Sequence, residues 1–242
     1  MSSLLSASIV LEIGGTSGLG KEIIMNVLYS HTLGSDIGLI ECAAKNMHLG
    51  HVNWHKSLIT LDSDPDLVYL AGGADVDPKR YGGNAELCSY ISHQIDEWDM
   101  YYIPMALANE WPIFGICRGH QTLAVELGGK LIEEIYPGHG KFEASQGDHF
   151  VMGEWGTFRV NSAHHQGVDY ESISDKVTIT AWALDGIPEA YVYKDFALTV
   201  QWHPEWMYDS LYSWQLIETV ITRRVDKIVK FDPYKGLIYK EV

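Results

Sequence analysis

The chain has 242 residues, 46% of them hydrophobic, and a formal net charge of −15. That length and apolar content suit one domain with a sizeable core, and the acidic balance argues against direct nucleic-acid binding, which needs a basic footprint. No run reaches the roughly 18 apolar residues of a membrane span, and three cysteines without framework spacing point to a reducing cytoplasm.

In chain order, residues 8–13 read as an apolar strand, followed by Gly14, Gly18 and Gly20 and a helix-like stretch over 21–29. The glycine spacing resembles the cofactor loop of short-chain dehydrogenases. Such enzymes also carry a Tyr-x-x-x-Lys pair, and no tyrosine here has a lysine four positions on. The expectation is therefore a first strand, a glycine-rich turn and a first helix, without a nicotinamide or other cofactor. The early residues lack a basic region and Glu12 interrupts their apolar stretch, so no signal peptide is expected.

His48, His51 and His55 would align on a helix, but Gly50 and Asn53 weaken one there, and no metal site is expected. Leu67–Leu70 reads as a strand leading into Gly72 and Gly73, after which Asp75, Asp77 and Pro78 supply turn chemistry. Cys42 and Cys88 read as packing residues.

From Pro112 the chain runs through an apolar strand into Gly115-Ile-Cys117-Arg-Gly119 and then an amphipathic helix. Two glycines around one cysteine build a nucleophile elbow: they permit a sharp turn and a close approach of strand and helix. The thiol then faces a helix N-terminus, which favours the thiolate. His120 reads as a helix residue near that site, not a second base. The Arg118 side chain is left between supplying positive potential for an anionic substrate and a structural role.

Residues 151–189 are rich in alternation and turns and read as antiparallel or edge strands. Within them, His164 and His165 point to opposite faces and cannot share one ion. Residues 198–202 form a further strand, ending in His203-Pro204-Glu205. Residues two apart on a strand share a face, so His203 can serve as base to Cys117 while Glu205 fixes its tautomer. Trp214, Ile217, Ile221, Val225 and Ile228 recur at helical spacing, with Arg223, Arg224 and Lys227 towards solvent. The apolar tail at 231–242 either folds back onto the domain or meets another subunit, which leaves a homo-oligomer open. The whole pattern, strands alternating with helices, predicts a single α/β domain over 1–242: a mostly parallel sheet covered by helices, with a few antiparallel edge strands.

Several of these segments together resemble a known family. Leu70-Ala-Gly-Gly-Ala-Asp-Val-Asp-Pro78, Tyr81-Gly82, Asp96-Glu-Trp98, Gly115-Ile-Cys-Arg-Gly-His-Gln121, Val160-Asn-Ser-Ala-His-His-Gln-Gly167, Ala181-Trp-Ala-Leu-Asp-Gly-Ile-Pro-Glu-Ala190 and Val200-Gln-Trp-His-Pro-Glu-Trp206 are similar to class I glutamine amidotransferase-like proteins. The branch they resemble is that of the γ-glutamyl hydrolases, peptidase family C26. The resemblance runs from about residue 66 to 206; the first sixty residues diverge, and residues 207–242 match poorly. It implies a flavodoxin-like fold and the cleavage of a γ-glutamyl amide bond. Cys117 would be nucleophile, His203 general base and then acid, and Glu205 the orienting carboxylate. Gly72 and Gly73 would give one oxyanion-hole N–H and the amide of Arg118 the other. Gln121, Asn161, Ser162, His164, His165 and Gln166 would hold a small-molecule γ-glutamyl substrate. Two physiological forms share this chemistry, a free-standing hydrolase and a glutaminase subunit that passes ammonia to a separate synthetase. A non-catalytic binding module is the remote alternative.

Overall fold

Leu67–Leu70 shows how the centre is built. All four side chains are buried, Leu67 and Tyr69 in one apolar cluster and Val68 and Leu70 in another. A strand with both faces covered reads as a continuous apolar run because successive side chains point to opposite sides of the sheet. Ile113–Ile116 and Ala197–Val200 follow the same rule, with every residue buried.

The structure, a computed structural model, describes residues 24–31, 34–135, 147–207, 213–224, 227–232 and 236–240. Its elements run β1 (Ile24–Tyr29), α1 (Gly34–Asn46), β2 (His51–His55), β3 (Leu67–Leu70), α2 (His93–Asn109), β4 (Ile113–Ile116), α3 (Arg118–Glu126), β5 (Leu131–Ile132), β6 (Gly147–Gly153), β7 (Gly156–Ser162), β8 (Gly167–Val168), β9 (Thr178–Ala183), β10 (Pro188–Tyr193), β11 (Ala197–Val200), α4 (Trp214–Ile221), β12 (Ile228–Asp232) and β13 (Gly236–Tyr239). Among the described residues, nine strands form one sheet in the order β2-β1-β3-β4-β11-β10-β9-β6-β7. The pairs from β2 to β11 are parallel, and those from β11 to β7 antiparallel. The fold is therefore a single α/β layer structure, as expected, though its antiparallel half is broader than a few edge strands.

Helices α1 and α4 cover one face: Leu39, Ile40, Leu216, Ile217 and Val220 pack with Val27, Tyr69, Phe114 and Val200. The other face meets α2 and α3, where Ile103, Ala106, Leu123 and Ala124 pack with Leu28, Val68, Leu70 and Ile113. On α2, Asp96, Asp99, Tyr102, Ile103 and Ala106 are buried at helical spacing. The apolar members join the core and the two carboxylates face a different environment.

Two expectations change. The helix-like stretch at 21–29 is a strand over Ile24–Tyr29, paired on both sides; tertiary pairing decides a short apolar run that periodicity leaves ambiguous. The expected strand at 8–13 and the glycines at 14–20 lie outside the described residues. His51 and His55 bound a strand, β2, where Gly50 and Asn53 already weaken a helix. The last helix stops at Ile221: Arg223 takes a left-handed φ of 51°, Thr222 N–H closes on the Glu218 carbonyl, and Ile228 opens a strand. Val225 lies outside the described residues. The β12–β13 hairpin then folds back. Leu237 is buried in the α1–α4 cluster, its N–H donates to Gln215 Oε1 at 2.6 Å, and the Tyr239 hydroxyl meets Thr219 at 2.5 Å. No described helix is long and apolar enough to cross a membrane.

Candidate active site

Cys117 is the first residue past β4. Its N–H donates to the Val200 carbonyl on the neighbouring β11 at 2.8 Å, so the corner is anchored to the sheet. It also holds φ 50°, ψ −104°, a conformation that side-chain-bearing residues rarely adopt. Such local strain persists only where surrounding structure enforces it. The glycines explain how: a Cβ on Gly119 would lie 2.0 Å from the Leu70 carbonyl oxygen, and one on Gly115 would lie 2.9 Å from the Gly119 carbonyl. Strand and helix are packed backbone to backbone at the elbow.

His203 follows β11, which runs parallel to β4 with Val200 opposite Ile116. The carboxyl ends of these adjacent strands therefore deliver Cys117 and His203 together, both against Gly72. His203 caps a 3-10 turn, Pro204–Trp206, in place of the expected strand end. The turn folds Glu205 back so that Oε1 sits 2.5 Å from His203 Nδ1. Burial opposes a charge on the ring, but the Cys117 sulfur and the Glu205 carboxylate outweigh it and push His203 up to about 10. Trp206 stacks flat on the same ring, centroids 4.0 Å apart at 6°, a contact that favours the imidazolium.

Gly72 and Gly73 follow β3, which pairs with β4 on the other side. A Cβ on Gly72 would meet His203 Cε1 at 2.8 Å and the Cys117 Cβ at 3.6 Å, so only glycine lets this loop approach the pair so closely. Arg118 begins α3, where first-turn N–H groups have no partner within the helix. Its side chain resolves the choice left by the sequence. It is buried and paired with Asp99 through Nη1 at 2.5 Å and with Asp96 through Nη2 at 2.7 Å, so its guanidinium faces α2 carboxylates. Asp96 also accepts from Arg80 Nη1 at 2.7 Å and from the Asp77 N–H at 3.3 Å, while Arg80 pairs further with Glu126. One carboxylate thus ties the loop after Gly73 to the residue after Cys117. Asp77, His93 and Asp96 bring three ligand atoms within 4.8 Å of one another, but two guanidinium groups already occupy Asp96, which leaves little affinity for a cation. Asp77 caps the turn Pro78–Arg80 and Asp75 accepts from the Ser89 N–H, the loop-shaping roles their positions predict.

The remaining predicted residues gather beside the elbow with different engagements. Asn161 clamps the backbone of His203: its Nδ2 donates to the His203 carbonyl at 2.8 Å, and its Oδ1 accepts the His203 N–H at 2.7 Å. Gln121 donates from Nε2 to the Gln166 carbonyl at 3.0 Å and to Gln201 Oε1 at 3.1 Å. Gln166 reaches the Tyr81 hydroxyl at 3.5 Å, and Ser162 is buried at the end of β7. His164 and His165 lie in the loop after β7 and diverge. His164 Nδ1 lies 2.9 Å from the Gln166 carbonyl, and Nε2 lies 3.6 Å from Glu189. His165 Nε2 lies 3.2 Å from Asp75, and that bond to Asp75 raises its pKa. His120 is fully buried, bonded to Thr199 and packed on Tyr191, and burial drops it to about 3, which removes it as a base at neutral pH. The sequence pointed to no role for Asp99, Arg80, Glu126 or the ring of Trp206. An acidic i, i+3 pair at positions 96 and 99 of an otherwise apolar helix face was the available signal for the buried network.

A family model described as Peptidase C26 matches residues 55–205. The γ-glutamyl-γ-aminobutyrate hydrolase of Escherichia coli O157:H7 is 32% identical over 166 residues, which cover 58% of this chain and 64% of that protein. The chain thus spans about two-thirds, 64–66%, of the length of the first curated relatives it matches. Its fold is similar to a glutamine amidotransferase from Thermotoga maritima, with TM-score 0.54, 20% identity and coverage of 83% of this chain and 91% of that one. It is also similar to the glutaminase domain of Trypanosoma brucei CTPS, with TM-score 0.57, 14% identity and coverage of 83% and 92%. At those identities the two structures speak to fold alone.

Proposed function

The chain belongs to the peptidase C26 family, and from that premise we propose that it hydrolyses a γ-glutamyl amide bond through a thioester on Cys117. The observation that carries the reading is the meeting of Cys117, His203 and Glu205 at the carboxyl ends of two adjacent parallel strands. In the proposed reaction the Cys117 thiolate attacks the γ-carbonyl carbon, and the oxygen takes the negative charge. The N–H groups of Gly73 and Arg118 receive it; donors of this kind contribute about 3 kcal/mol each to the transition state. His203, held as an imidazolium, gives its proton to the departing amine as the C–N bond breaks. Neutral His203 then takes a proton from water, whose oxygen attacks the thioester; glutamate leaves and the thiol is restored. Glu205 keeps the ring oriented and balances its charge. Gln121, Ser162, His164, His165 and Gln166 are the proposed walls for the glutamyl group. Asn161 is assigned to positioning, since both ends of its amide hold His203.

Glutamate release from glutamine and a panel of γ-glutamyl amines tests the reading. Turnover is expected, and Cys117→Ala should remove it by at least about four orders of magnitude. A glutamine-like electrophile should label buried Cys117 in preference to the more accessible Cys42 and Cys88. Equal labelling of all three, with no glutamate released, would sink the hydrolase. Selective labelling with little turnover would favour a glutaminase that works with a synthetase.

A further inference from the structure

We propose that His31 is a positioning residue for the oxyanion hole: by holding the Gly72 carbonyl, it turns the N–H of Gly73 into the cleft beside Cys117. The inference rests on the thioester reading above and names a residue outside the span 55–205 that the family model matches.

His31 lies two residues past β1, whose Tyr29 is in register with Tyr69 of β3. The carboxyl end of a third parallel strand therefore delivers it to the same edge of the sheet as Cys117 and His203. Its Nε2 sits 2.6 Å from the Gly72 carbonyl oxygen and its Nδ1 2.8 Å from the Ser30 hydroxyl. A carbonyl can only accept, whereas a hydroxyl can donate, so the partners assign the proton to Nε2. Burial lowers the pKa of the ring, more than its bond to Gly72 raises it. The ring is then neutral at physiological pH and keeps that tautomer.

The Gly72–Gly73 peptide is planar and trans, so its C=O and the N–H of Gly73 point in opposite directions. Fixing one fixes the other. Neither residue has a side chain to bar rotation of the peptide plane, so an external hold is what makes this donor preorganised. The packing has the required sidedness. A Cβ on Gly72 would face His203 Cε1 at 2.8 Å and the Cys117 Cβ, whereas one on Gly73 would face His31 Nε2 at 2.9 Å and Arg118 Cδ at 3.7 Å. The loop is thus pressed between the reacting pair on one side and His31 with the Arg118 side chain on the other.

The test pairs His31→Ala and His31→Gln with alkylation and crystallography. In His31→Ala, kcat for γ-glutamyl amide hydrolysis should fall about 100-fold, the scale of losing one oxyanion donor, with KM within about twofold. Alkylation of Cys117 by iodoacetamide should keep its rate, because displacement at a saturated carbon builds no oxyanion. His31→Gln, which retains an N–H donor, should recover part of kcat, and Ser30→Ala, which frees the tautomer, should lose a smaller part. A crystal structure of His31→Ala should show the Gly72–Gly73 peptide flipped or in two orientations. Unchanged kcat, or alkylation falling in step with kcat, overturns the proposal. Should the wild-type protein hydrolyse no γ-glutamyl amide and label its three cysteines equally, the hydrolase reading fails by itself, and the peptide orientation in His31→Ala and Ser30→Ala still decides the role of His31. A single unchanged orientation in both refutes it.

Discussion

At the scale of single residues, the electrostatics around His203 make a prediction with a sign. The ring is raised to about 10 by Cys117 and Glu205 acting against burial. In the proposed reaction that proton goes to the leaving amine, so kcat/KM should fall as pH rises through about 10. Glu205→Gln removes one of the groups that raise the ring, so the alkaline limb should move to lower pH, together with a fall in kcat. A pH–rate profile of both proteins checks this; an unmoved limb would show that Glu205 does not tune the ring. The types and order of Cys117, His203 and Glu205 were legible in the sequence, because the elbow glycines and the His-x-Glu spacing are local patterns. The job of Asn161 was not. A clamp on the backbone of a residue 42 positions away has no local pattern.

At the scale of elements, the junction of β4 and α3 depends on contacts at backbone distance. Gly119→Ala would set a methyl 2.0 Å from the Leu70 carbonyl, and overpacking of this kind costs at least the upper end of about 1–3 kcal/mol. Urea denaturation should show that loss, and activity should fall with it because β3 carries the Gly72–Gly73 loop. The network between α2 and α3 gives a second outcome. Asp99 is buried and accepts from Arg118 Nη1 at 2.5 Å and from the Thr122 hydroxyl at 3.0 Å. Asp99→Ala leaves a buried guanidinium short of one partner, a change that costs about 3–5 kcal/mol where a buried pair is broken. A midpoint within experimental error of wild type would place this charge in water instead. The sequence marked Gly119 through its motif. It left the Arg118 side chain undecided, since burial and partners are properties of the packed pair of helices.

At the scale of the whole molecule, the C-terminal hairpin and the sheet edge that carries Cys117 are separable. Leu237 is buried beside α1 and α4, on the face of β13 that meets α4. Leu237→Ala should destabilise by about 2–5 kcal/mol, which for a chain of this size lowers Tm by roughly 2–4 °C per kcal/mol. The kcat should remain at the wild-type value below the transition. A lost kcat at 25 °C in a folded variant would show that the hairpin supports the site directly. The α/β class and the strands at Leu67–Leu70, Ile113–Ile116 and Ala197–Val200 were readable because a doubly covered parallel strand is a continuous apolar run. Residues 24–29 have a similar composition, yet their strand state came from pairing with β2 and β3. The end of α4 was equally hidden, since the helical spacing of apolar residues continues through the left-handed turn at Arg223.

The sequence by itself determined what rests on neighbours in the chain: the strained elbow around Cys117, the pairing of His203 with Glu205, and the covered central strands. Tertiary structure alone decided which distant groups press on that local design. Asn161 grips His203, Asp96 and Asp99 hold Arg118, and His31 holds Gly72. The physical reason is common to all three. A hydrogen bond between residues far apart in the chain depends on the register and order of strands, and these are set by summed burial over the whole sheet rather than by any local pattern.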